Sequence, residues 1–452
     1  MNLYSKLCEL EARGEPLRIG VIGAGKFAAM YLAQVPKTPG VHLAGIADLS
    51  PANARANLER VGWKPDSYGA ASLDRALKER RTHISEDWQA LVAHPAIGIV
   101  IEATGNPLAA VAHALAAFRN GKHVIMVTVE ADAFCGPLLA KKARDAGVVY
   151  SLAYGDQPAI ICDLVDWARA AGFPVVAAGR GHKWLPHYAQ STPETVWQHY
   201  GLTPEQARVG GLNAKMFNSF LDGSKPAIEC TAVCNATGLT PAPGGLSYPP
   251  ASIEALPLTM RPQAEGGCLH HKGQVEVVSS LERDGRAIPH DIRFGVWVVF
   301  EGESDYIRRC FMEYGVHTDP TGRYACMYKR WHLIGLEAGI SVASVGLRNE
   351  PTGCATGFHA DAVATAKREL RAGELLDGEG GYTVVGRLMP AEDSLRLGAL
   401  PLGLAHQVKL LDPVKAGEPV LWSNVACDEG SEAVRLRREM EATFAAPKQR
   451  AA

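Results

Sequence analysis

The chain has 452 residues, of which 47% are hydrophobic and 21% are charged, so two or three globular domains are expected. Its 46 basic and 48 acidic residues give a formal net charge of −2, which leaves no basic surplus for a nucleic-acid or anionic-membrane surface. The N-terminal stretch has no apolar signal core, and no window reaches the roughly 18 uninterrupted apolar residues of a membrane span. We therefore expect a cytoplasmic protein without nucleic-acid or membrane partners. The ten cysteines include no C-x-x-C pair, which favours reduced, structural thiols over a zinc site or disulfides.

Strands and helices alternate over the first 155 residues. The predicted strands lie in "LRIGVI", "VHLAGIADLS", "IGIVIEATGNP", "HVIMVTVEAD" and "VVYSLAYGD", and helices such as "PLAAVAHALAAFRNGK" and "GPLLAKKARDAG" lie between them. Such alternation requires right-handed crossovers and a parallel sheet. Residues 1–155 are therefore predicted to form a doubly wound α/β (Rossmann) domain.

A glycine-rich turn joins the first strand to the first predicted helix of this domain. Gly23, Gly25 and Ala28 form a G-x-G-x-x-A pattern, in which the first glycine allows a tight turn and the second lets a pyrophosphate approach the backbone. Phosphates would then lie on the helix N-terminus, at Lys26, Phe27 and Ala28. The alternative is a glycine-rich turn that binds no ligand.

An acidic residue follows at the end of the second strand. Asp48 is placed to accept hydrogen bonds from the adenosine ribose hydroxyls and would repel a 2′-phosphate, so NAD is favoured over NADP. Arg55 is near enough in sequence to leave NADP open. The loop Thr104, Gly105 and Asn106, after a later strand, is assigned to the same cofactor site.

Two carboxylates end the stretch "HVIMVTVEAD". Read as a strand, it places Glu130 and Asp132 at the carboxyl edge of the sheet and on one side of the strand, so that both could converge on one point. This predicts either a divalent metal site or general acid–base work. Alternatively, Asp132 simply caps the following helix.

The middle of the chain has a different character. We predict an α+β substrate domain over residues 156–327, with strands in "PVVAAGRGHKWLP" and "KPAIECTAVCNATGL", and an antiparallel pair formed by "GQVEVVSS" and "FGVWVVFEG". A helix within residues 328–352 is expected to pack back on the first domain. Residues 353–452 form a third, C-terminal domain.

The catalytic candidates besides Glu130 lie around this middle domain. Lys225 and Glu229, four residues apart on the predicted strand, would share one face as a proton relay or as an internal salt bridge. Lys183 follows an apolar strand and could anchor a phosphate or carboxylate, or remain a solvated loop lysine. Asp156 closes the last strand of the first domain.

The stretches "IGVIGAGKFA", "IEATGNP", "VTVEAD", "YGDQP" and "FLDGSKPAIECTAVCNATGL" resemble the homoserine-dehydrogenase-like oxidoreductases that carry a C-terminal SAF domain. That group includes the 1-deoxy-D-xylulose 5-phosphate reductoisomerase-like enzymes. The tail from "VATAKRELRAGELLDGEGG" to "KAGEPVLWSNVA" is similar to SAF modules, which form a β-clip. Homoserine dehydrogenases usually have Asn-Lys where this chain has Glu130 after "VTV", so the resemblance to that enzyme itself is incomplete.

The resemblance implies an NAD(P)-dependent oxidoreductase that acts on CH–OH groups. The expected reaction is reduction or isomeroreduction of a small polyhydroxylated carbonyl compound or sugar phosphate. The alternatives are oxidation of a small hydroxy or amino acid, as in homoserine dehydrogenase, and a non-catalytic nucleotide- or sugar-binding protein. By analogy with such enzymes, a homo-oligomer is expected.

Overall fold

The computed structural model describes residues 2–445. The chain divides into two compact units. The first comprises the residues up to Ile160 together with His332–Ala355, and the second comprises Ile161–Trp331 together with the residues from Thr356 onward. No helix within residues 2–445 has the length and apolar character that crossing a membrane requires.

The strands, in chain order, are β1 (Leu17–Ile22), β2 (Val41–Ala47), β3 (Tyr68–Ala70), β4 (Thr82–Ser85), β5 (Ile99–Glu102), β6 (His123–Met126), β7 (Tyr150–Leu152), β8 (Val175–His182), β9 (Gln274–Ser279), β10 (Val296–Glu301), β11 (Tyr324–Lys329), β12 (Ala360–Ala366), β13 (Leu375–Asp377), β14 (Val384–Pro390) and β15 (His406–Lys409).

The α-helices are α1 (Leu3–Arg13), α2 (Lys26–Gln34), α3 (Pro51–Arg60), α4 (Leu73–Glu79), α5 (Trp88–Ala93), α6 (Pro107–Arg119), α7 (Val129–Asp145), α8 (Gln157–Ala170), α9 (Val196–Tyr200), α10 (Pro204–Val209), α11 (Ala214–Leu221), α12 (Ser224–Thr237), α13 (Leu256–Thr259), α14 (Asp305–Glu313), α15 (Gly339–Arg348), α16 (Ala391–Leu397) and α17 (Glu432–Phe444).

The first unit is built on a seven-stranded sheet with the order β3-β4-β2-β1-β5-β6-β7. Every neighbouring pair in it runs parallel, which confirms the predicted doubly wound α/β domain. The central strands are short runs of Ile, Val and Ala that are buried on both faces, as a parallel sheet covered by helices requires. The strand order turns back between β1 and β5, so the ligand crevice of such a sheet opens there.

The helix α15 completes the core of this first unit, although it lies almost 200 residues after β7 in the chain. Its Val342 and Val345 belong to the hydrophobic cluster that covers β1 and β5. The segment is also tied to the last strand, because Leu152 donates its N–H to the Gly353 carbonyl (2.8 Å) and Tyr154 donates its N–H to Ser341 Oγ (2.8 Å).

The second unit contains a four-stranded sheet with the order β11-β10-β8-β9. Strand β8 pairs parallel with β9 and antiparallel with β10. The predicted antiparallel pair of β9 and β10 is therefore wrong, because β8 lies between them. The prediction assumed that two strands that follow each other in the sequence pair as a hairpin. Hairpins have short loops, whereas about 16 residues separate β9 from β10, and so long a connection leaves room for another strand to pair between them.

The helix α12 occupies the stretch for which the sequence predicted a strand. It begins after Gly223 and ends before Gly238, both of which have positive φ (94° and 74°), a backbone conformation that glycine tolerates best. Every side chain from Ser224 to Asn235 is buried, since the helix contacts β8, β9, β12 and β14. A helix that is buried on all sides lacks the one-sided apolar stripe that identifies surface helices, which explains the wrong prediction.

Residues 356–445 add two antiparallel strand pairs, β12 with β14 and β13 with β15. The final helix α17 is anchored to the first pair by Arg437, which forms an ion pair with Asp361 of β12. Both side chains are fully buried. The interior of the region formed by residues 356–445 therefore contains a buried ion pair.

Candidate functional site

The glycine turn between β1 and α2 has the geometry of a phosphate cradle. Gly23 has φ +90°, and a β-carbon at this position would lie 2.7 Å from the Ala103 carbonyl oxygen. Gly25 caps α2 without a side-chain hydrogen bond, and a β-carbon built on it meets nothing within 4 Å. The first turn of α2 thus presents backbone N–H groups to open space, which is the arrangement that binds a pyrophosphate. Around it, Lys26 is exposed, Phe27 is half-buried and Ala28 is packed in the core.

Asp48 lies beside this turn, at the end of β2. Its Oδ2 accepts a hydrogen bond from the Ala24 N–H (2.7 Å) and its Oδ1 accepts one from the Ser50 N–H (2.8 Å). The carboxylate is half-buried, so each oxygen retains capacity to accept a ribose hydroxyl. Arg55 lies toward β3, where its Nη1 would be 3.4 Å from a β-carbon built on Gly69.

The loop Thr104, Gly105 and Asn106 is exposed and follows β5. Asn106 begins α6, accepting hydrogen bonds at its Oδ1 from the N–H groups of Leu108 and Ala109 (both 3.1 Å). The hydroxyl of Thr104 donates to Oε1 of Glu102 (2.6 Å). The buried carboxylate of Glu102 therefore fixes the position of this loop through Thr104. The sequence analysis did not identify Glu102.

The structure corrects the placement of Glu130 and Asp132. Strand β6 ends at Met126, and both carboxylates lie in the first turn of α7. Residues two apart on a helix do not face each other, so the predicted convergence on one point is wrong. In residues 2–445, no group of three or more His, Cys, Asp or Glu side chains is arranged to hold a metal ion.

Asp132 is buried in the core, with 1% of its surface exposed. Tyr150 donates its hydroxyl to Oδ2 of Asp132 (2.9 Å), and Oδ1 has no hydrogen-bond partner. Burial raises the pKa of this carboxyl to about 7, while the Tyr150 hydrogen bond acts in the opposite direction. Glu130, in contrast, is half-buried and lies in the first turn of the helix at the carboxyl edge of the sheet.

Asp156 begins α8. Its Oδ1 accepts a hydrogen bond from the Gln157 N–H (2.9 Å), and its carbonyl accepts one from the Ile160 N–H (3.3 Å). The Asp156 carboxylate and carbonyl thus both accept hydrogen bonds from the first turn of α8. The side chain is 6% exposed.

Lys183 follows the end of β8, as predicted from the sequence. Its ammonium group donates to the His199 carbonyl (2.7 Å) and lies 5.8 Å from the centre of the Tyr200 ring. Burial, and then the positive charge of Arg293, lower the pKa of Lys183. Two cations thus lie near each other at this end of the strand.

The neighbouring His182 is neutral. Its Nε2 lies 2.6 Å from the Phe220 carbonyl oxygen, so this nitrogen carries the proton. Burial, and then the charges of Arg180 and Arg293, lower the pKa of His182 to about 3. It therefore adds no charge beside Lys183 at neutral pH.

Lys225 and Glu229 lie on α12, where a separation of four residues also places them on one face. Glu229 forms an ion pair with Arg180 of β8, and both side chains are more than 90% buried. A salt bridge was one of the two alternatives for Glu229, but Arg180 was not recognised as its partner. Burial raises the pKa of Cys230, on the same helix, to about 12, which keeps its thiol protonated.

Three functional candidates escaped sequence reasoning: Glu102, Arg180 and Arg293. Glu102 had a local signal, since it is a charged residue inside the apolar run "IVIEA" and buried charges need partners. The two arginines had none, because their proximity to Glu229 and Lys183 arises from the tertiary fold.

Two family matches cover much of the chain. Residues 17–127 match the oxidoreductase family with an NAD-binding Rossmann fold (GFO_IDH_MocA). Residues 155–338 match the catalytic domain of the oxidoreductase DRL. No curated protein matches the sequence.

Solved structures similar to this chain include biliverdin reductase from Synechocystis sp. PCC 6803 (21% identity, 43% of this chain, 55% of that chain, TM-score 0.27). They also include DOX-P reductoisomerase with fosmidomycin and magnesium (16% identity, 49% and 58%, TM-score 0.35) and S. aureus homoserine dehydrogenase (13% identity, 74% and 75%, TM-score 0.36). The chain spans about half the length of several of these structures, including a levoglucosan dehydrogenase (47%).

The family match over residues 17–127 agrees with the geometry of the first unit, in which a tight glycine turn, a helix N-terminus without a side-chain cap and Asp48 lie together. Residues 17–127 therefore carry an NAD-binding Rossmann fold similar to that of an oxidoreductase family, and residues 155–338 are similar to the catalytic domain of the oxidoreductase DRL.

Proposed function

We propose that this protein is an NAD(P)-dependent oxidoreductase that reduces, or reductively rearranges, a small polyhydroxylated carbonyl compound carrying a phosphate group. The reaction class is that of a 1-deoxy-D-xylulose 5-phosphate reductoisomerase-like enzyme. The observation that carries the proposal is the pair of uncompensated cations, Lys183 and Arg293, in the region similar to the DRL catalytic domain.

Neither the Lys183 nor the Arg293 side chain forms an ion pair with a carboxylate among residues 2–445; the Asp291 carboxylate accepts only the backbone N–H of Arg293 (2.7 Å). Lys183 contacts only a carbonyl and an aromatic ring, and the guanidinium of Arg293 lies 4.8 Å from the centre of the Phe294 ring. Arg180 nearby is neutralised by Glu229. Partly buried cations are costly without a counter-charge, so an anionic group of the substrate is the natural partner of this pair.

The cofactor supplies a hydride when bound, and the carbonyl oxygen must gain a proton in the same reaction. Glu130 is our proposed acid–base group, because it lies in the first turn of α7 at the carboxyl edge of the sheet, where ligands of open parallel sheets bind. Lys225 is a second proposed group on the substrate side, whereas Asp156 accepts hydrogen bonds from the first turn of α8 and Glu229 is engaged in an ion pair. We propose NAD as the preferred cofactor, since Asp48 would repel a 2′-phosphate.

Two further assignments belong to this proposal. We propose that residues 353–452, of which 446–452 lie outside the described part of the chain, belong to a SAF-like module. The two antiparallel strand pairs β12–β14 and β13–β15 support this assignment. We also propose that the enzyme is a cytoplasmic homo-oligomer. Sedimentation of the purified chain tests the oligomeric state.

The proposed function is tested by following nicotinamide absorbance with the purified protein. NADH and NADPH are each combined with 1-deoxy-D-xylulose 5-phosphate, and NAD and NADP are each combined with homoserine. We expect turnover of the sugar phosphate and none of the amino acid. Turnover of homoserine alone would contradict the proposal and favour a homoserine-dehydrogenase-type oxidation. Turnover of a dephosphorylated sugar at the same KM would contradict the role of the two cations.

A further inference from the structure

Glu102 is the last residue of β5 and is completely excluded from solvent. Its Oε1 accepts hydrogen bonds from the hydroxyl and the N–H of Thr104 (2.6 and 3.4 Å), and its Oε2 accepts one from the hydroxyl of Thr128. His113 Nδ1 lies 3.2 Å from Oε1. Burying a carboxylate inside a parallel sheet is costly unless its oxygens accept hydrogen bonds. Both oxygens of Glu102 accept them.

The donors come from three different elements. Thr104 belongs to the loop after β5, Thr128 precedes α7, and His113 lies on α6. The Thr128 hydroxyl also accepts a hydrogen bond from the Gly105 N–H (3.0 Å). Because one hydroxyl bridges the carboxylate and the backbone of the next loop, Glu102 determines where the loops after β5 and β6 lie relative to each other.

These loops adjoin the phosphate cradle. The Ala103 N–H donates to the Ile22 carbonyl (2.9 Å), and a β-carbon on Gly23 would lie 2.9 Å from Thr104 Cα. Asp48 follows β2, on one side of the central strand β1, while Glu102 ends β5 on the other side. A dinucleotide that spans this crevice places its adenosine toward β2 and its nicotinamide half toward β5 and β6.

We propose that Glu102 is a positioning residue for the nicotinamide half of the cofactor, acting through Thr104 and Thr128. It does not touch the cofactor. It fixes the loop of Thr104, Gly105 and Asn106 in the conformation that receives the nicotinamide ribose. This inference rests on the NAD-binding fold and is independent of the substrate proposed above.

If Glu102 only stabilised the fold, its substitution would weaken the binding of every ligand of the domain to the same extent. A positioning role instead predicts a loss only for ligands that carry the nicotinamide half. NADH carries both halves of the dinucleotide, whereas AMP carries the adenosine half alone. Glu102→Gln keeps the size of the side chain, but its amide nitrogen cannot accept the hydroxyl donors. We expect the Kd of NADH, measured by fluorescence titration, to rise roughly tenfold or more, while the Kd of AMP, measured by calorimetry, stays within about twofold of the wild-type value.

Thr128→Val and Thr128→Ser provide a second pair of variants if Glu102→Gln fails to fold. The valine removes the bridging hydroxyl and should reproduce the loss for NADH, and the serine restores the hydroxyl and should bind NADH as the wild type does. Thr82→Val is the matched control, since the buried hydroxyl of Thr82 on β4 donates to the Leu43 carbonyl (2.7 Å) on the neighbouring strand β2 of the same sheet. Equal losses for NADH and AMP, or unchanged NADH binding in Thr128→Val, would overturn the proposal. Absence of NADH binding by the wild type would instead contradict the cofactor assignment.

Discussion

Arg437 and Asp361 form a two-pronged ion pair from which water is fully excluded. Nη1 of Arg437 donates to Oδ1 of Asp361 (3.1 Å) and Nη2 donates to Oδ2. Both side chains have 0% relative exposure. The Ser394 hydroxyl donates to the same carboxylate, and Arg437 Nε donates to Glu441 (2.9 Å). Helix α17 is therefore attached to β12 by an ion pair whose charged groups cannot form hydrogen bonds with water instead.

The first prediction concerns this pair. Asp361→Ala leaves the Arg437 charge buried beside a cavity, so we expect the free energy of unfolding to fall by about 3–5 kcal/mol. Denaturant titration measures it. Arg438→Ala is the control, because this neighbouring arginine is half-exposed and should change stability by less than about 1 kcal/mol. Equal effects of the two substitutions would show that burial of the pair is unimportant.

The second prediction concerns Asp48 and cofactor choice. Asp48→Asn keeps an acceptor for the Ala24 N–H but removes the negative charge that repels a 2′-phosphate. We expect the Kd of NADH to rise roughly tenfold and the preference for NADH over NADPH to shrink or reverse. Fluorescence titration with both nucleotides measures it, with Asp66→Asn, an exposed aspartate of the same domain, as the control. An unchanged ratio of the two Kd values would contradict the role of the charge.

The third prediction concerns the two uncompensated cations. Lys183→Met removes one charge but keeps the apolar stem that lies beside Tyr200. We expect the KM for a phosphorylated substrate to rise roughly tenfold or more, with a smaller change in kcat, because the interaction is made in the ground state as well. Steady-state kinetics measures the split. Lys415→Met, at an exposed position, should leave both constants unchanged, and a loss confined to kcat would contradict an anchoring role.

The fourth prediction concerns the buried carboxyl of Asp132. The pKa of Asp132 is about 7 in the folded protein, compared with 3.8 for an ordinary aspartate in the unfolded chain. Between pH 4 and pH 7, Asp132 is therefore protonated in the folded state and ionised in the unfolded state. The wild type should therefore lose stability as the pH rises from about 4 to 7, by up to about 4 kcal/mol. Asp132→Asn cannot ionise and should lack this loss.

Chemical denaturation at several pH values tests this fourth prediction. The stability of Asp132→Asn relative to the wild type should increase from pH 4 to pH 7 and stay constant above that. Asp145→Asn is the control at the other end of α7, where the carboxyl is exposed and paired with Lys141. A pH-independent difference between Asp132→Asn and the wild type would contradict the raised pKa.

The first domain could be predicted from sequence because its signals are local. A β-branched strand, a G-x-G-x-x-A turn and an acidic residue at the next strand end each depend on a few adjacent residues. The glycine turn and Asp48 lie next to each other, since the Ala24 N–H donates to Asp48 (2.7 Å), and their role in binding a cofactor stays a prediction. The short strand β3 at the sheet edge and its neighbour β4 were missed, since three or four residues carry too little periodicity to be recognised.

The failures have equally specific causes. "VTVEAD" continues the β-branched run of β6, so nothing local marks Met126 as its end, and Glu130 and Asp132 were placed on a strand instead of on α7. Helix α12 shows no stripe because it is buried all round. Arg293 could not be connected with Lys183 because about 110 residues separate them in the sequence, and only the tertiary fold brings their charges together.

The late return of α15 to the first domain has a consequence for synthesis of the protein. When residue 160 leaves the ribosome, all seven strands of the sheet exist, but Val342 and Val345 are still absent from its core. The nascent domain must keep this apolar surface exposed, or protected by a chaperone, until the chain has been translated past Gly353. Folding of the nucleotide-binding half is thus coupled to the synthesis of the intervening domain.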